Sequence, residues 1–462
     1  MSVLAAYIAP HPPLIIPEVG KGQEKAVQKT IESYHDIAKQ IAELCPQTII
    51  MISPHSVLYS DYIHISPGRE ATGNLKNFGA PAVYKTAYDE PLVKKICQLC
   101  ENVHFPAGTL GEKSSSLDHG ILVPLYFINQ YYTNYKLIRC SISGLSRREH
   151  YRFGMIMNEA VESLERNAVV VASGDLSHKL TSDGPYGFAP EGPKLDGELV
   201  DIMKSGNFID FLTIDDHLSE KGADCGLNSF IIMSGILDQK SIQPEFYSYE
   251  GPLGVGYAVC AYKNLRTDIT RDFFIQYSEL IQKKTQDIRI SEDDYVRLAR
   301  ETLEYYINKK HMPPLPENLL NLSNELYNER AGVFVSIKKH GQLRGCIGTT
   351  EPTQINIARE IQHNAVSSGT RDPRFPPVSI DELPDLVYSV DVLSPAEPCK
   401  KDELDVRRYG VIVTSGYKRG LLLPNLEGVD TIEEQIDIAR KKAGIHAFEK
   451  YTLERFEVIR HT

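Results

Sequence analysis

Three histidines each follow a predicted β-strand closely, and imidazole is the commonest side-chain ligand of metal ions. His11 stands in the segment PHPPLIIPEVG, one proline after the apolar run 3–9. His55 comes two residues after a second run, and His178 follows a third within SGDLSH. The carboxyl ends of neighbouring parallel strands meet at one edge of a sheet, so we expect these imidazoles to converge. The prolines beside His11 exclude a regular helix and stiffen its loop.

Two further segments add imidazole, carboxylate and thiol groups. His119 precedes an apolar segment, and Asp224 and Cys225 begin another. Two imidazoles with a carboxylate would suit iron(II), whereas two imidazoles with a thiolate would equally suit zinc, copper or a redox role. The spacing does not choose between Asp224 and Cys225, and a buried cysteine at a helix start is an equal alternative. Asp175 either orients His178 or serves as a turn or cap residue.

The elements that must position these residues alternate between short β-branched runs and amphipathic helices. This alternation predicts an α/β domain with a largely parallel or mixed central sheet. The predicted strands are 3–9, 48–53, 135–143, 168–173 and 256–262, and the clearest helices are 25–45 and 150–167.

The chain becomes polar and helical between about residues 264 and 292. We therefore predict an α/β domain over 1–268, a helical linker over 269–289 and an α+β domain over 290–462. Ser291 and Asp294 look like a capping box that opens the first helix of the second domain. Its predicted strands are 331–339, 385–393 and 410–415, with helices near 353–366 and 431–443.

Composition narrows the classes of function. The chain has 462 residues, 42% of them hydrophobic and 24% charged, which is typical of globular proteins with substantial cores. A formal net charge of −11 argues against a general nucleic-acid-binding protein. The eight cysteines are scattered, which favours a reducing cytoplasm over a disulfide framework. We see no signal peptide and no apolar run of the ~20 residues that span a membrane.

The ordered motifs of the first domain resemble a known family. In chain order, these motifs are PHPP, SPH, DHG followed by VPL, SGDLSH, an acidic-Cys-Gly helix start and SYEGPLGVGYAV. Together they are similar to LigB-type class III extradiol dioxygenases, in particular the MEMO-like branch. The resemblance covers about residues 3–264. It implies that His11 and His55 bind a metal, for which we expect iron(II), with zinc or copper as alternatives. It also implies that His178 is the catalytic acid–base histidine and His119 a second pocket histidine.

The third ligand is where the sequence departs from the ring-cleaving members. Those enzymes are expected to use a glutamate, whereas this chain offers Asp224 beside Cys225, and the MEMO-like branch uses the cysteine. A thiolate ligand is softer and more easily oxidised than a carboxylate. The resemblance therefore leaves ring cleavage itself as a hypothesis.

In the second domain the most distinctive segment is HGQLRGCIGTTEP, which contains Cys346. A cysteine near a cation, here Arg344, can become nucleophilic; a buried strand-turn is the alternative. LRGCIG and the surrounding segments resemble the AMMECR family over about residues 290–462. Fusion of the two modules resembles the AmmeMemoRadiSam set, which implies a radical-SAM partner protein.

Three hypotheses follow. The first is an iron(II)-dependent oxidoreductase of the extradiol type with a small aromatic substrate. The second is a diverged metal-binding component of a radical-SAM-associated system that modifies a macromolecule. The third is an enzyme centred on Cys346. We expect a cytoplasmic protein without nucleic-acid or membrane partners. The sequence leaves open whether the protein forms a homo-oligomer.

Overall fold

The computed structural model describes residues 2–113, 116–315, 324–426 and 428–462. The chain divides into two compact units, Met1–Ser278 and Glu279–Thr462. The division falls inside a helix, α10, which spans Phe273–Ser291. The domain limits that we inferred from sequence stay a prediction. Within the described ranges, no helix is long and apolar enough to cross a membrane.

The first unit is built on a six-stranded mixed sheet, which confirms the predicted fold class. Its strand order is β7-β2-β8-β1-β10-β9. Strands β7, β2, β8 and β1 are parallel to one another, whereas β10 pairs antiparallel with both β1 and β9 at one edge. The strands of this unit are β1 Val3–Ala9, β2 Thr48–Ser53, β3 Ile63–His64, β4 Glu70–Asn74, β5 Val83–Ala87, β6 Ala107–Gly108, β7 Lys136–Ser141, β8 Ala168–Ser173, β9 Lys240–Glu250 and β10 Tyr257–Thr267.

Helices cover both faces of this sheet, because its central strands are apolar on both sides. Every residue of TIIMIS in β2 and of AVVVAS in β8 is buried, as expected for parallel strands in an α/β fold. The helices before α10 are α1 Pro17–Gly20, α2 Gln28–Leu44, α3 Glu90–Asn102, α4 His119–Ile128, α5 Arg147–Ser163, α6 Glu191–Ser205, α7 Ile209–Thr213, α8 Asp216–Gly222 and α9 Leu227–Ile236.

The second unit is an α+β structure with an antiparallel sheet in the order β12-β11-β13-β17-β15-β16; β14 pairs with β17. Helices α11 and α13 contribute a hydrophobic core with β11 and β13, and α14 contributes a smaller one with β15 and β16. The elements are α11 Asp294–Lys309, α12 Asn324–Asn328, β11 Gly332–Lys339, β12 Gln342–Gly348, α13 Ile357–Thr370, β13 Leu386–Leu393, β14 Glu397–Pro398, β15 Tyr409–Ser415, β16 Lys418–Leu422, α14 Ile432–Lys442 and β17 Thr452–His461.

The start of α11 differs from the predicted capping box. Ser291 is the last residue of α10, and its hydroxyl bonds to the Ile288 carbonyl. The cap is Asp293, whose carboxylate accepts hydrogen bonds from the backbone N–H groups of Tyr295 and Val296. An aspartate two residues further along therefore performs the role that we assigned to the serine.

Helices α5 and α9 approach each other closely, and we expect this contact to tolerate no added methyl group. A Cβ atom on Gly235 would collide with the Tyr151 carbonyl oxygen. We predict that Gly235→Ala lowers the free energy of unfolding by about 1–3 kcal/mol, as overpacking does. Gly197→Ala, on the exposed face of α6 where a Cβ meets no atom within 4 Å, should raise it by about 0.5–1 kcal/mol. Urea unfolding measures both, and an unchanged Gly235→Ala midpoint would contradict the close approach.

Candidate metal centre

The histidine loops meet at the carboxyl edge of the parallel strands. Strand β8 pairs in parallel with β1 on one side and with β2 on the other. His11 leaves β1, His55 leaves β2, and Asp175 and His178 leave β8. Their loops therefore start side by side, as the sequence predicted.

Two imidazoles and a thiol form a compact group of metal-donor atoms. His11 Nε2 lies 2.9 Å from His55 Nε2 and 3.5 Å from Cys225 Sγ. The three donor atoms all lie within 4.8 Å of one another. Two ligand atoms that are each about 2.0–2.3 Å from one ion lie about 3–4 Å apart. These separations fit a shared metal ion.

A serine at the end of β8 orients His11. The Ser173 hydroxyl donates to the Gly120 carbonyl over 2.6 Å, so its oxygen must accept a hydrogen bond from His11 Nδ1, 2.8 Å away. A neutral His11 therefore carries its hydrogen on Nδ1, and the lone pair of Nε2 points to His55 and Cys225. Partners of this kind hold metal-binding histidines in the required tautomer.

Burial keeps the imidazoles of the cluster neutral. It lowers the pKa of His11 well below the ordinary value, and His55 and His119 lower that pKa further. Burial, assisted by His119, lowers the pKa of His55 to about 4. The pKa of His119 is also lowered by burial. Neutral imidazoles are the form that binds metal ions, so no proton has to leave these rings first.

His119 lies beside the donor atoms without joining their closest group. It begins α4, and its ring centroid lies 4.1 Å from that of His55 and 5.3 Å from that of His11. Ser53 links the two loops, because it accepts the His55 N–H and donates to the Asp118 carboxylate over 2.6 Å. His119 is therefore placed to contact a ligand at the donor group.

His178 and Asp175 make a second group with Cys225, whose donor atoms also lie within 4.8 Å of one another. His178 Nδ1 donates to the Ala223 carbonyl over 2.5 Å, which leaves Nε2 for other partners. Asp175 bonds to His11 instead of His178: its Oδ1 accepts the His11 backbone N–H over 2.8 Å. Burial raises the pKa of Asp175 to about 7.

The structure brings Cys225 to the donor group and directs Asp224 elsewhere. The Asp224 carboxylate accepts the Ser219 hydroxyl and the Leu227 N–H, each over 2.8 Å, and so caps α9. Cys225 Sγ instead accepts the Asp175 N–H over 3.3 Å. Burial raises the pKa of this thiol well above its usual range. The geometry favours Cys225 as the third ligand.

Glycines permit this approach of the two loops. Gly174 follows β8, and Gly226 follows Cys225; a Cβ atom on Gly174 would collide with the Gly226 Cα atom. Two backbones that touch in this way leave no room for side chains. The contact brings the start of α9, and with it the thiol, to the carboxyl edge of the sheet.

In the second unit, Cys346 lies on β12 and Ser336 opposite it on β11. The Ser336 hydroxyl donates to the sulfur over 3.2 Å. Arg374 donates to the Cys346 carbonyl over 3.2 Å. Its hydrogen bond to Asp372, with the nearby Cys346 thiol, raises the pKa of Arg374. The cation that we expected at the sulfur, Arg344, instead pairs with Glu382, with N–O distances of 2.9 and 3.0 Å.

Comparison with known proteins now decides the family. The family described as the catalytic LigB subunit of aromatic ring-opening dioxygenase matches residues 5–260, more than half of the chain. The chain belongs to this LigB family. The AMMECR1 family matches residues 296–461, so the protein joins a LigB-type domain to an AMMECR1 domain, as the sequence motifs predicted.

Similar proteins have been found in other organisms. A protein of Clostridium acetobutylicum is 44% identical over 471 residues, which cover 100% of this chain and 99% of its own. A Thermotoga maritima protein is 48% identical over 176 residues, 36% of this chain and 99% of its own. The crystal structure of an uncharacterised Pyrococcus horikoshii protein is 32% identical, with a TM-score of 0.33, and covers 36% of this chain and 88% of that one.

Sequence reasoning missed two residues of the LigB-type site. Ser173 ends an apolar strand and looks like part of the core. Its contact with His11 becomes visible only from the pairing of β8 with β1. Phe78 packs near His119, with ring centroids 5.7 Å apart. It lies in a short turn, Lys76–Phe78, that carries no motif. An aromatic residue in a polar loop was the one signal available for it.

We predict that Ser173→Ala weakens metal binding at the LigB-type site by about 10–100-fold, since His11 loses its orienting partner. Ser234→Ala is the matched control, because among the described residues the hydroxyl of this buried serine bonds only to the Phe230 carbonyl of its own helix. Titration with a divalent metal measures both dissociation constants, and thermal unfolding confirms that the variants are folded. Equal metal affinities in the two variants would exclude the orienting role.

Proposed function

We propose that the LigB-type domain is an iron(II)-dependent oxidoreductase that opens an ortho-diphenol ring with dioxygen. The observation that carries the proposal is the convergence of His11 Nε2, His55 Nε2 and Cys225 Sγ within 4.8 Å. Zinc or copper would suit the same donors, and the thiolate makes the donor set softer than one with a carboxylate. Family membership supports the reaction class.

Bound iron(II) would supply one centre that holds a diphenol and dioxygen in adjacent positions. The surrounding residues supply binding and proton transfer. His178 offers its free Nε2 to accept a phenolic proton and later return it. His119 faces the same space and can donate a hydrogen bond to a substrate oxygen. Both oxygen atoms enter the ring-opened product, so no external reductant is required.

Asp175 acts through His11 in this scheme. Its Oδ1 holds the His11 backbone, while its Oδ2 lies 3.9 Å from His11 Nε2. The carboxylate thereby fixes the loop that follows β1 and places a negative charge near the donor group. We infer a positioning role for Asp175, alongside the proton-transfer role of His178.

The decisive variant is His55→Ala, since His55 supplies a donor atom from an exposed loop. We expect its dissociation constant for iron(II) to rise by at least about 100-fold, more than the loss of an orienting partner costs. Dioxygen uptake with a panel of catechols should be lost. His217→Ala removes an exposed imidazole of α8 and should change neither quantity. Anaerobic titration and an oxygen electrode measure the two.

The outcomes separate the two metal-based hypotheses. Tight iron binding with dioxygen uptake and a ring-opened product supports the dioxygenase. Tight binding that depends on His55 and Cys225, but without turnover of any catechol, contradicts ring opening and favours a diverged metal-binding component. Iron binding that His55→Ala leaves intact contradicts the proposed site.

A second candidate function rests on Cys346. The Ser336 hydroxyl donates a hydrogen bond to its sulfur, and the Arg374 guanidinium donates to its carbonyl, which places a cation beside the thiol. Cysteines beside cations can act as nucleophiles. Asp372 holds Arg374 in place through N–O contacts of 2.9 and 2.6 Å. Half of the Arg374 side chain stays exposed, with 53% accessible, so it can also contact an anionic group of a substrate. We propose a nucleophilic thiol for electrophiles that carry such a group.

Iodoacetate and iodoacetamide test this thiol, because each forms an S–C bond and releases iodide, and only iodoacetate carries a carboxylate. We expect the ratio of the iodoacetate rate to the iodoacetamide rate to be about tenfold higher at Cys346 than at the exposed thiol of Cys45. A tenfold ratio corresponds to about 1.4 kcal/mol, which is the contribution of one charge-assisted hydrogen bond. Arg374→Gln should remove the preference, and Arg371→Gln, at an exposed neighbour, should keep it. Peptide mass spectrometry measures the rates. Equal ratios at the two cysteines would contradict the proposal.

A further inference from the structure

The first unit has a cavity near the candidate metal centre. This cavity of about 200 Å³ opens between the loop after β1, the Leu75–Ala82 segment and α4. Its apolar walls include Leu75, Ala80 and Ala82. A dry cavity of ~150 Å³ in another protein holds benzene, so this one has room for a single ring with a short substituent.

The polar groups of this cavity are one carboxylate and two phenols. Glu18, Tyr84 and Tyr126 are its polar lining residues. Burial, with Tyr126 and Glu18 nearby, raises the pKa of Tyr84 to about 12. The phenols are therefore neutral in ordinary buffers, and the carboxylate gives the cavity its charge.

Glu18 has no counter-ion in the part of the chain that the structure describes. No lysine or arginine lies within ion-pair distance of its carboxylate. The ammonium group of Lys21 lies nearby, about 3.9 Å from the position of a Cβ on Gly79, and is not a lining residue. The hydroxyls of Tyr84 and Tyr126 likewise make no hydrogen bond to another described residue. The three groups are thus available to a ligand.

We propose that this cavity binds a small organic ammonium ion whose apolar body is about the size of one ring. The carboxylate of Glu18 would pair with the ammonium group, the phenol faces add cation–π attraction, and the apolar walls take the ring. The same carboxylate, which is exposed at the mouth of the cavity, disfavours an anionic ligand. The ligand is recognised without any metal ion, so this proposal stands independently of the ring-opening reaction.

The position of the cavity places its ligand next to the donor histidines. Tyr126 lies seven residues after His119 on α4, which is two turns, or about 10 Å, along the same face. The Leu75–Ala82 segment contributes cavity walls and also carries Phe78, which packs near His119. The bound ammonium ion is thus either the far end of the substrate or a separate ligand beside it.

Benzylamine is the probe, with benzyl alcohol and benzoate as neutral and anionic counterparts of the same size. In metal-free protein, we expect benzylamine to shift the methyl resonances of Leu75 and Ala82 saturably. Benzyl alcohol should bind about tenfold more weakly, which is the effect of one charge-assisted hydrogen bond, and benzoate more weakly still. Methyl NMR gives both the affinity and the location.

Glu18→Gln should weaken benzylamine binding about tenfold and leave benzyl alcohol binding unchanged. Glu43→Gln makes the same charge change at an exposed position of α2 and should have no effect. Ala82→Leu fills the cavity from its exposed wall and should abolish binding of both probes, while methyl resonances elsewhere show that the variants are folded. Equal affinity for benzylamine and benzyl alcohol, unaltered binding in Glu18→Gln, or shifts confined to other methyl groups would each overturn the proposal.

Adding a catechol to iron-loaded protein distinguishes the two sources of the ammonium group. A catechol with an aminoalkyl substituent should bind more tightly than catechol itself if the cavity takes the far end of the substrate, and Glu18→Gln should remove that advantage. Simultaneous, independent binding of catechol and benzylamine instead identifies a separate ligand. A failure of ring opening would affect neither benzylamine result in metal-free protein.

Discussion

The parallel pairing of β1 and β2 with β8 is the constraint on which the candidate metal centre depends. Ala9 lies opposite Ser173, and Ile52 lies opposite Ala172, so the three strands end at nearly the same level. After each of these strands, the chain enters a loop within two residues. An antiparallel neighbour would send its loop to the opposite edge, and the imidazoles of His11 and His55 would lie a whole strand length apart.

The thiol reaches this edge by a different route. Cys225 lies two residues before α9, and contact between the backbones at Gly174 and Gly226 brings it to the end of β8. Close packing of α5 against α9 supports the same position, because it holds the helix that follows the cysteine. The donor group therefore combines two kinds of element: the ends of neighbouring strands, and the turn before α9 that packs against them. Small residues at both contacts make this arrangement compatible with dense packing.

The sequence allowed prediction of the parts that depend on local pattern. An apolar run followed by a short polar segment marks a strand end, so His11, His55 and His178 could be predicted from sequence to lie near one another. The choice between Asp224 and Cys225 could not be made in this way. Both residues lie in the turn just before α9, and which of them faces the sheet depends on how that turn packs. The partners of Cys346 were inaccessible for a related reason, since Asp372 and Arg374 reach it only through the fold.

The charge balance of the cluster explains why a cation suits it. Burial raises the pKa of both acidic groups beside His11, the carboxyl of Asp175 to about 7 and the thiol of Cys225 well above its usual range. No lysine or arginine among the described residues pairs with either group, and the nearby imidazoles of His11, His55 and His119 are neutral. Ionised acids without a cationic partner are costly to bury. A divalent ion at the donor atoms would provide the positive charge that favours the thiolate and the carboxylate together, and it would use neutral imidazoles without displacing a proton from them. The same residues would be a poor choice for packing alone.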